Sequence, residues 1–164
     1  MSRLFGALVV SVIATSCAEV GPTGPTNVPV EAIAVPFNVI GDSYFWSSGF
    51  YEPSRMVIRT PEEMSLFWTI LESSKMPKTM PPSIDFRRGV VVAAAMGGVP
   101  SNLESITIDS VFVLDATLFV LVNEHYPTGS CVFGSGGAPI VAVSVMVRPT
   151  RVVFIERESM DTCG

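Results

Sequence analysis

The sequence predicts a mainly β (α+β) fold, an antiparallel β-sandwich or half-barrel of about seven strands with one packed helix. Three observations favour it: one stretch has helical periodicity, the other apolar segments are short, and brief turns join them. We expect this domain to span residues 36–164, after a signal peptide at 1–16 and a flexible tether at 17–35.

The helix is predicted to begin after Thr60 and to end near Ser74. Thr60 is a typical N-cap, Pro61 suits the first helical position, and Glu63 completes a capping box. The spacing i, i+3, i+4, i+7 of a core-facing stripe is then met by Met64, Phe67, Trp68 and Leu71.

Apolar runs and alternation predict the strands. Residues 89–97 (GVVVAAAMG) form a continuous apolar run, which indicates a strand buried on both faces. Residues 105–114 and 116–126 are predicted to pair across a turn at 115–117, and residues 138–147 and 151–158 to pair around 148–151. Two further strands are predicted at 45–50 and 55–59.

The N-terminus has the organisation of a secretory signal. Arg3 precedes an apolar run from Leu4 to Ala14, which is shorter than the roughly 20 residues that span a bilayer. Residues 13–16 (IATS) before Cys17 resemble a bacterial lipobox, although Ala14 stands where Leu is usual. We therefore predict lipidation of Cys17 and an extracytoplasmic, lipid-anchored protein of the bacterial cell envelope. An ordinary signal cleaved near Ala18, or a buried apolar strand, are the alternatives.

The composition of the tether and the charge of the chain limit the classes of partner that the protein can bind. The tether is rich in Pro, Gly and Thr and contains two charged residues, Glu19 and Glu31, as expected of an extended linker. The chain has 10 basic and 15 acidic residues, and removal of residues 1–16 leaves 9 basic and 15 acidic ones. No Lys/Arg run is present, so we expect no nucleic-acid partner, and membrane attachment through the N-terminal lipid alone.

Residues with catalytic chemistry are few. His125 is the single histidine, which excludes a metal site built on two histidines. Cys131 and His125 could form a nucleophile and base, but catalytic pairs usually come from separate elements. The chain has no G-x-S-x-G elbow, and GSGG (134–137) lacks the Lys-Ser/Thr ending of a phosphate loop. We predict a protein that is not an enzyme and has no metal or cofactor.

The cysteine count predicts a disulfide. With Cys17 acylated, Cys131 and Cys163 remain as a pair in a compartment where disulfides persist. A bridge would close a loop of 33 residues, counting both ends, and would staple the C-terminal tail to the turn at 127–139. Such a loop corresponds to roughly 3–4 kcal/mol of stabilisation. Two free thiols are the alternative.

Several segments together resemble a known family. Residues 83–101 (SIDFRRGVVVAAAMGGVPS), 104–131 (ESITIDSVFVLDATLFVLVNEHYPTGSC), 138–145 (APIVAVSV) and 151–156 (RVVFIE) are similar to the C-terminal domain of PrcB, a protease complex subunit. The resemblance covers residues 46–157. Members of that family usually carry Thr-Gly-Gly-Tyr after the first long strand, whereas this chain has GGVPSNLES at 97–105.

The resemblance implies an accessory protein of the envelope that binds and stabilises an extracytoplasmic protease complex. Two loops are the candidate partner surface, and they contain Gly97, Gly98, Ser101, Asn102, Gly129, Gly134 and Gly136. One alternative is an Ig-like protease inhibitor that uses the same loops. Another is a lipoprotein that binds a small ligand through the aromatic residues Tyr44, Phe45, Trp46, Phe50 and Tyr51.

Overall fold

The computed structural model describes residues 27–43, 48–100, 104–128 and 135–162. Within these ranges the chain forms eight strands and one helix. The strands are β1 (Ile33–Ala34), β2 (Phe37–Ser43), β3 (Ser54–Ile58), β4 (Val90–Ala95), β5 (Ser105–Leu114), β6 (Thr117–Thr128), β7 (Ile140–Val145) and β8 (Arg151–Thr162), and the helix α1 spans Pro61–Leu71. The predicted mainly β fold with one packed helix is confirmed.

Two four-stranded sheets face each other. Sheet A has the order β1-β5-β6-β8, and sheet B has the order β2-β7-β4-β3. All neighbours are antiparallel except β6 and β8, which are parallel. The space between the sheets is filled by side chains such as Val92, Val111, Val120 and Val143, each at most 1% exposed. Burial of this apolar surface is the main stabilising contribution to the sandwich.

Helix α1 covers the outer face of sheet B. Its N-terminus is formed as predicted, because Thr60 Oγ1 accepts a hydrogen bond from Glu63 N at 3.2 Å. The Glu63 carboxylate accepts from Arg59 N at 2.6 Å, one residue before the donor of a standard capping box. The predicted stripe of Met64, Phe67, Trp68 and Leu71 is buried, and it packs on the faces of β3, β4 and β7 that point away from the other sheet.

The helix ends earlier than predicted, at Leu71, because the next residue bonds to the following loop instead of facing solvent. The carboxylate of Glu72 is 3% exposed and accepts hydrogen bonds from Lys75 Nζ, Thr79 N and Thr79 Oγ1. Burial opposes ionisation of Glu72, but these hydrogen bonds outweigh it, so the pKa of Glu72 lies below its usual value. Trp68 Nε1 donates to Thr79 O at 3.0 Å, which fixes the same loop.

The predicted pairing of residues 138–147 with 151–158 is wrong. Strand β7 lies in sheet B between β2 and β4, and β8 lies in sheet A beside β6. The chain therefore crosses from one sheet to the other near Pro149, which is buried. All six residues of β7 are buried, as suits a strand with a sheet-to-sheet core on one face and α1 on the other.

The strand predicted at 45–50 is also wrong for the part that the structure describes. Residues 48–50 are not in a strand, because Gly49 has φ +77° and Ser48 turns its hydroxyl inward. The strand that precedes β3 is β2, at Phe37–Ser43. The other predicted strands are present, and the predicted pair across 115–117 is confirmed as β5 and β6.

The end of the predicted tether packs on the domain. Strand β1 pairs with β5, with Ile33 opposite Val113. Val28 and Ala32 contact a cluster on the outer face of sheet A that contains Phe119 and Ile155. Residues 28–35 thus belong to the packed structure, and the chain reaches it beside the C-terminal end of β5.

Candidate functional site

The two predicted partner loops meet at one end of the sandwich, which we call the loop end. Ala95 and Ile140 are partners where β4 ends and β7 begins. Beyond them, Val99 N donates to Gly137 O at 2.8 Å and Gly137 N donates to Val99 O at 3.1 Å. The structure therefore brings Gly97, Gly98 and Gly136 together. The other predicted loop residues, Ser101, Asn102, Gly129 and Gly134, lie outside the described residues.

Glycine is required at two places in this arrangement. Gly97 has φ +85°, and a Cβ there would lie 2.8 Å from both Cδ and N of Pro53. A Cβ on Gly136 would overlap the carbonyl oxygen of Val99. Gly98 differs, because the nearest atom to a Cβ would be Tyr51 O at 3.8 Å. The close approach of the backbone to Pro53 and to Val99 thus requires glycine at positions 97 and 136, whereas position 98 has room for a side chain.

A third segment, residues 48–53, completes the loop end, and the sequence analysis missed it. Ser48 is fully buried, and its Oγ donates to Ala138 O at 2.8 Å. Gly98 N donates to Tyr51 O at 2.9 Å, so this segment holds both loops. The Tyr51 side chain remains 61% exposed next to them. The available signal was Gly49, which interrupts the aromatic run that predicted a strand.

Arg55 joins the two sheets behind the loop end. Its Nε and Nη2 donate to the two carboxylate oxygens of Glu156 at 2.9 and 2.7 Å, and Nη2 also donates to Glu124 Oε1 at 2.6 Å. Nη1 donates to the carbonyl oxygens of Ser54 and Ala95 at 3.1 and 2.8 Å. All five guanidinium donors therefore have acceptors. Burial would lower the pKa of Arg55, but hydrogen bonds and charges of Glu156 and Glu124 outweigh it and raise the pKa.

Tyr126 extends this network along β6. Its hydroxyl donates to Glu124 Oε2 at 2.6 Å. That hydrogen bond, then partial burial, and then the charges of Glu124, Glu158 and Glu104 raise the pKa of Tyr126 to about 12. Burial also raises the pKa of Glu104. Glu124 is thus held between a cation and a phenol, which fixes the end of β6 that leads into the second loop.

His125 lies near the C-terminal end of β6 and pairs with β8. A hydrogen bond of 2.7 Å joins Ser159 Oγ and His125 Nδ1, whose residues are partners in the β6–β8 ladder. Cys131 and Cys163 lie outside the described residues, as does Cys17. Thr128 and Thr162 are the last partners of the parallel ladder. In the sequence, Cys131 follows Thr128 by three residues and Cys163 follows Thr162 by one, and the predicted bridge between them stays a prediction.

Two features are absent from the described residues, a metal-binding cluster and a membrane-spanning helix. Among them, no group of three or more His, Cys, Asp or Glu side chains is placed to hold a metal ion. No helix within those ranges is long and apolar enough to cross a membrane. What the loop end presents is a shaped surface of backbone groups and small side chains, with Gly98, Pro100, Ser135 and Gly136 exposed.

An apolar groove runs between α1 and the edge strand β3. Its volume is about 330 Å³, and Met56, Leu66 and Ile70 contribute to its walls. Phe50 and Phe67 meet there with ring centroids 5.4 Å apart. Of the predicted aromatic cluster, Phe50 lines the groove, and Tyr44, Phe45 and Trp46 lie outside the described residues.

Comparisons of the chain with models of protein families, with curated proteins and with solved structures found no match. The resemblance to the PrcB C-terminal domain therefore stays a prediction.

Proposed function

We propose that this chain is an accessory protein of the cell envelope, held at a membrane by a lipid on Cys17, that binds a protein partner through its loop end. An extracytoplasmic protease complex is the partner that the family resemblance implies. The observation that carries the proposal is the meeting of the two predicted partner loops, joined by the reciprocal hydrogen bonds of Val99 and Gly137.

The loop end has two properties that favour binding of a protein. Its backbone is fixed in advance by Ser48, Gly97 and Gly136, which reduces the conformational entropy lost on association. It also places a largely exposed tyrosine, Tyr51, beside small loop residues, and tyrosine is enriched among residues that dominate binding energy. A lipid anchor would add a high effective concentration toward any partner in the same membrane.

Co-purification of the full-length protein from native membranes tests the proposal. We expect a stoichiometric protein partner with the wild type and its loss with Gly98→Arg, because position 98 is exposed and the nearest atom to a Cβ there would be Tyr51 O at 3.8 Å, so an arginine fits without a clash at its Cβ. Ser65→Arg is the matched control, since Ser65 is exposed on α1, away from the loop end. Recovery of the wild type without a partner, or an unchanged partner with Gly98→Arg, would contradict the proposal.

A second candidate function is the binding of a small apolar ligand in the groove between α1 and β3. The specific observation is the groove volume of about 330 Å³ beside Phe50, at the lower end of the range of ligand pockets. Trp68 is buried in the same cluster as Phe67, so its fluorescence should report occupancy. A panel of apolar ligands that leaves tryptophan fluorescence unchanged, or changes it equally in Leu66→Glu, would exclude this function.

A further inference from the structure

The opposite end of sheet B contains a cavity lined by three arginines, which we call the arginine cavity. At this end β3 stops at Ile58, β4 begins at Val90 and β7 stops at Val145. The three segments that continue from these strands supply Arg59, Arg87 and Arg148. The cavity has a volume of about 450 Å³. Strand β4 has six residues, which at about 3.4 Å per residue separates this cavity from the loop end by roughly 20 Å.

Positive charge exceeds negative charge in the cavity wall. Two carboxylates, Glu62 and Asp85, lie among the three guanidinium groups. Asp85 Oδ1 is already engaged, because it accepts a hydrogen bond from Arg87 N at 3.1 Å. Arg59 is held by donation from Nη1 to Pro149 O at 2.7 Å, which orients it toward the segment that contains Arg148. The concentration of three arginines here contrasts with the acidic chain as a whole.

Arg87 and Arg148 have guanidinium donors available for a ligand. Arg87 and Arg148 are exposed, and in the part of the chain that the structure describes no side-chain hydrogen bond or ion pair engages them. The hydroxyl of Thr60 accepts from Glu63 N and keeps its own hydrogen for donation. Ile84 and Phe86 add apolar surface to the same wall. The unengaged donors of Arg87, Arg148 and Thr60 thus line the arginine cavity, and an apolar wall lies next to them.

We propose that the arginine cavity binds the phosphate group of an anionic ligand. Planar guanidinium groups match phosphate oxygens and can bind them with two parallel hydrogen bonds each. The first turn of α1 borders the cavity, but Glu62 and Glu63 already complement its dipole, so Arg59, Arg87 and Arg148 carry the recognition. The apolar wall formed by Ile84 and Phe86 would contact the organic part of the ligand.

The phosphate could belong to a lipid headgroup or to a soluble phosphate ester. The N-terminal segment enters the domain at this same end, because β1 pairs with the last residues of β5. The turn after β5 is joined to the turn after β7, where Thr150 N donates to Ala116 O at 2.9 Å. A lipid on Cys17 would thus bring lipid phosphates near this end, whereas a soluble ester would need no anchor. The arginine cavity itself does not depend on the partner loops.

Binding is tested with the full chain carrying Cys17→Ser, so that no acyl chain contributes. Calorimetric titration with inorganic phosphate is one arm, and co-sedimentation with phosphatidylcholine vesicles, with and without phosphatidylglycerol, is the other. Binding of phosphate without binding to either kind of vesicle assigns a soluble ester, and vesicle binding that requires phosphatidylglycerol assigns the headgroup.

Arg87→Gln combined with Arg148→Gln should weaken either interaction by about tenfold or more, because two charge-assisted contacts are lost. Arg157→Gln on β8 removes an exposed arginine elsewhere and should leave binding unchanged. Thermal unfolding without the probes checks that each variant is folded, and Arg148→Gln alone serves if the double variant is not. Absence of binding to both probes, or equal binding by the wild type and the cavity variants, would overturn the proposal.

Discussion

Replacement of Arg55 by methionine should destabilise the domain, because it removes the ion pairs of Arg55 with Glu124 and Glu156. Arg55 lies on β3 of sheet B, and its carboxylate partners Glu124 and Glu156 lie on β6 and β8 of sheet A. Methionine keeps much of the apolar stem of arginine and removes all five donors. The substitution therefore tests the inter-sheet network and not the packing.

The magnitude follows from the exposure of the three side chains. Arg55 is 21% exposed and Glu124 is 16% exposed, so loss of the cation leaves a carboxylate in a site largely shielded from water. Breaking a fully buried pair costs about 3–5 kcal/mol. Glu156 is 48% exposed and regains water, so its bond contributes at the level of a surface pair, about 0–1 kcal/mol. We expect a loss of about 2–4 kcal/mol in the free energy of unfolding.

Urea-induced unfolding of the full chain measures this loss. Arg157→Met is the matched control, because Arg157 is exposed on β8, and it should change the free energy by no more than about 0.5 kcal/mol. Adding Glu124→Gln to Arg55→Met should recover part of the stability, since the unpaired carboxylate is then removed. Equal stabilities of Arg55→Met and Arg157→Met would refute the assignment of Arg55 as the link between the sheets.

Three further predictions concern Gly97, Tyr126 and the pair of Cys131 and Cys163. Gly97→Ala should destabilise the domain by about 1–2 kcal/mol through its positive φ alone, with more from the contact to Pro53, whereas Gly98→Ala should be neutral in the same urea assay. Equal unfolding midpoints for the two variants would show that Gly97 is not conformationally required. Tyr126 should ionise near pH 12, measured as the phenolate absorbance lost in Tyr126→Phe, and Glu124→Gln should bring the transition down. Because the raised pKa reflects a stabilised neutral phenol, its contribution to stability is full below about pH 10 and is lost as the pH rises toward 12; a Tyr126 transition near pH 10 would contradict the hydrogen bond to Glu124. Alkylation of the unreduced mature protein followed by intact-mass measurement should find Cys131 and Cys163 unmodified, and reduction should lower the free energy of unfolding by about 3–4 kcal/mol. Two alkylated thiols would mean that no bridge exists.

Features set by neighbouring residues were predictable from the sequence. The N-cap Thr60, Pro61 and the buried stripe of α1 all depend on spacings within one helix, and the structure contains them. The pair of β5 and β6 was likewise predictable, because a turn of two residues between alternating segments leaves few other arrangements. Local chemistry decides both cases.

Pairing between distant segments was not predictable in the same way. Pro149 and Thr150 signal a turn between β7 and β8, but a turn signal does not say whether the strands share a sheet. The difference is in burial: β7 is buried at every position, whereas β8 alternates between half-buried and buried residues from Val152 to Ile155 and is exposed at Arg151. Two strands with such different surroundings fit different sheets. Strand β2 and the role of the segment 48–53 were not predicted, because the aromatic residues nearby favoured a strand at 45–50 instead.

The arginine cavity follows from the same principle at the level of function. Arg59, Arg87 and Arg148 are far apart in the sequence, so no basic run marks them. Each adjoins the end of one of three neighbouring strands, β3, β4 and β7, and antiparallel pairing brings those ends together. The absence of a Lys/Arg run in an acidic chain therefore argues against an extended polyanion such as nucleic acid, but it does not bear on a discrete site for a single anionic group. The order and direction of the strands decide which charged residues, distant in the sequence, meet at one end of a sheet. A small number of well-placed guanidinium groups is then sufficient to bind one phosphate.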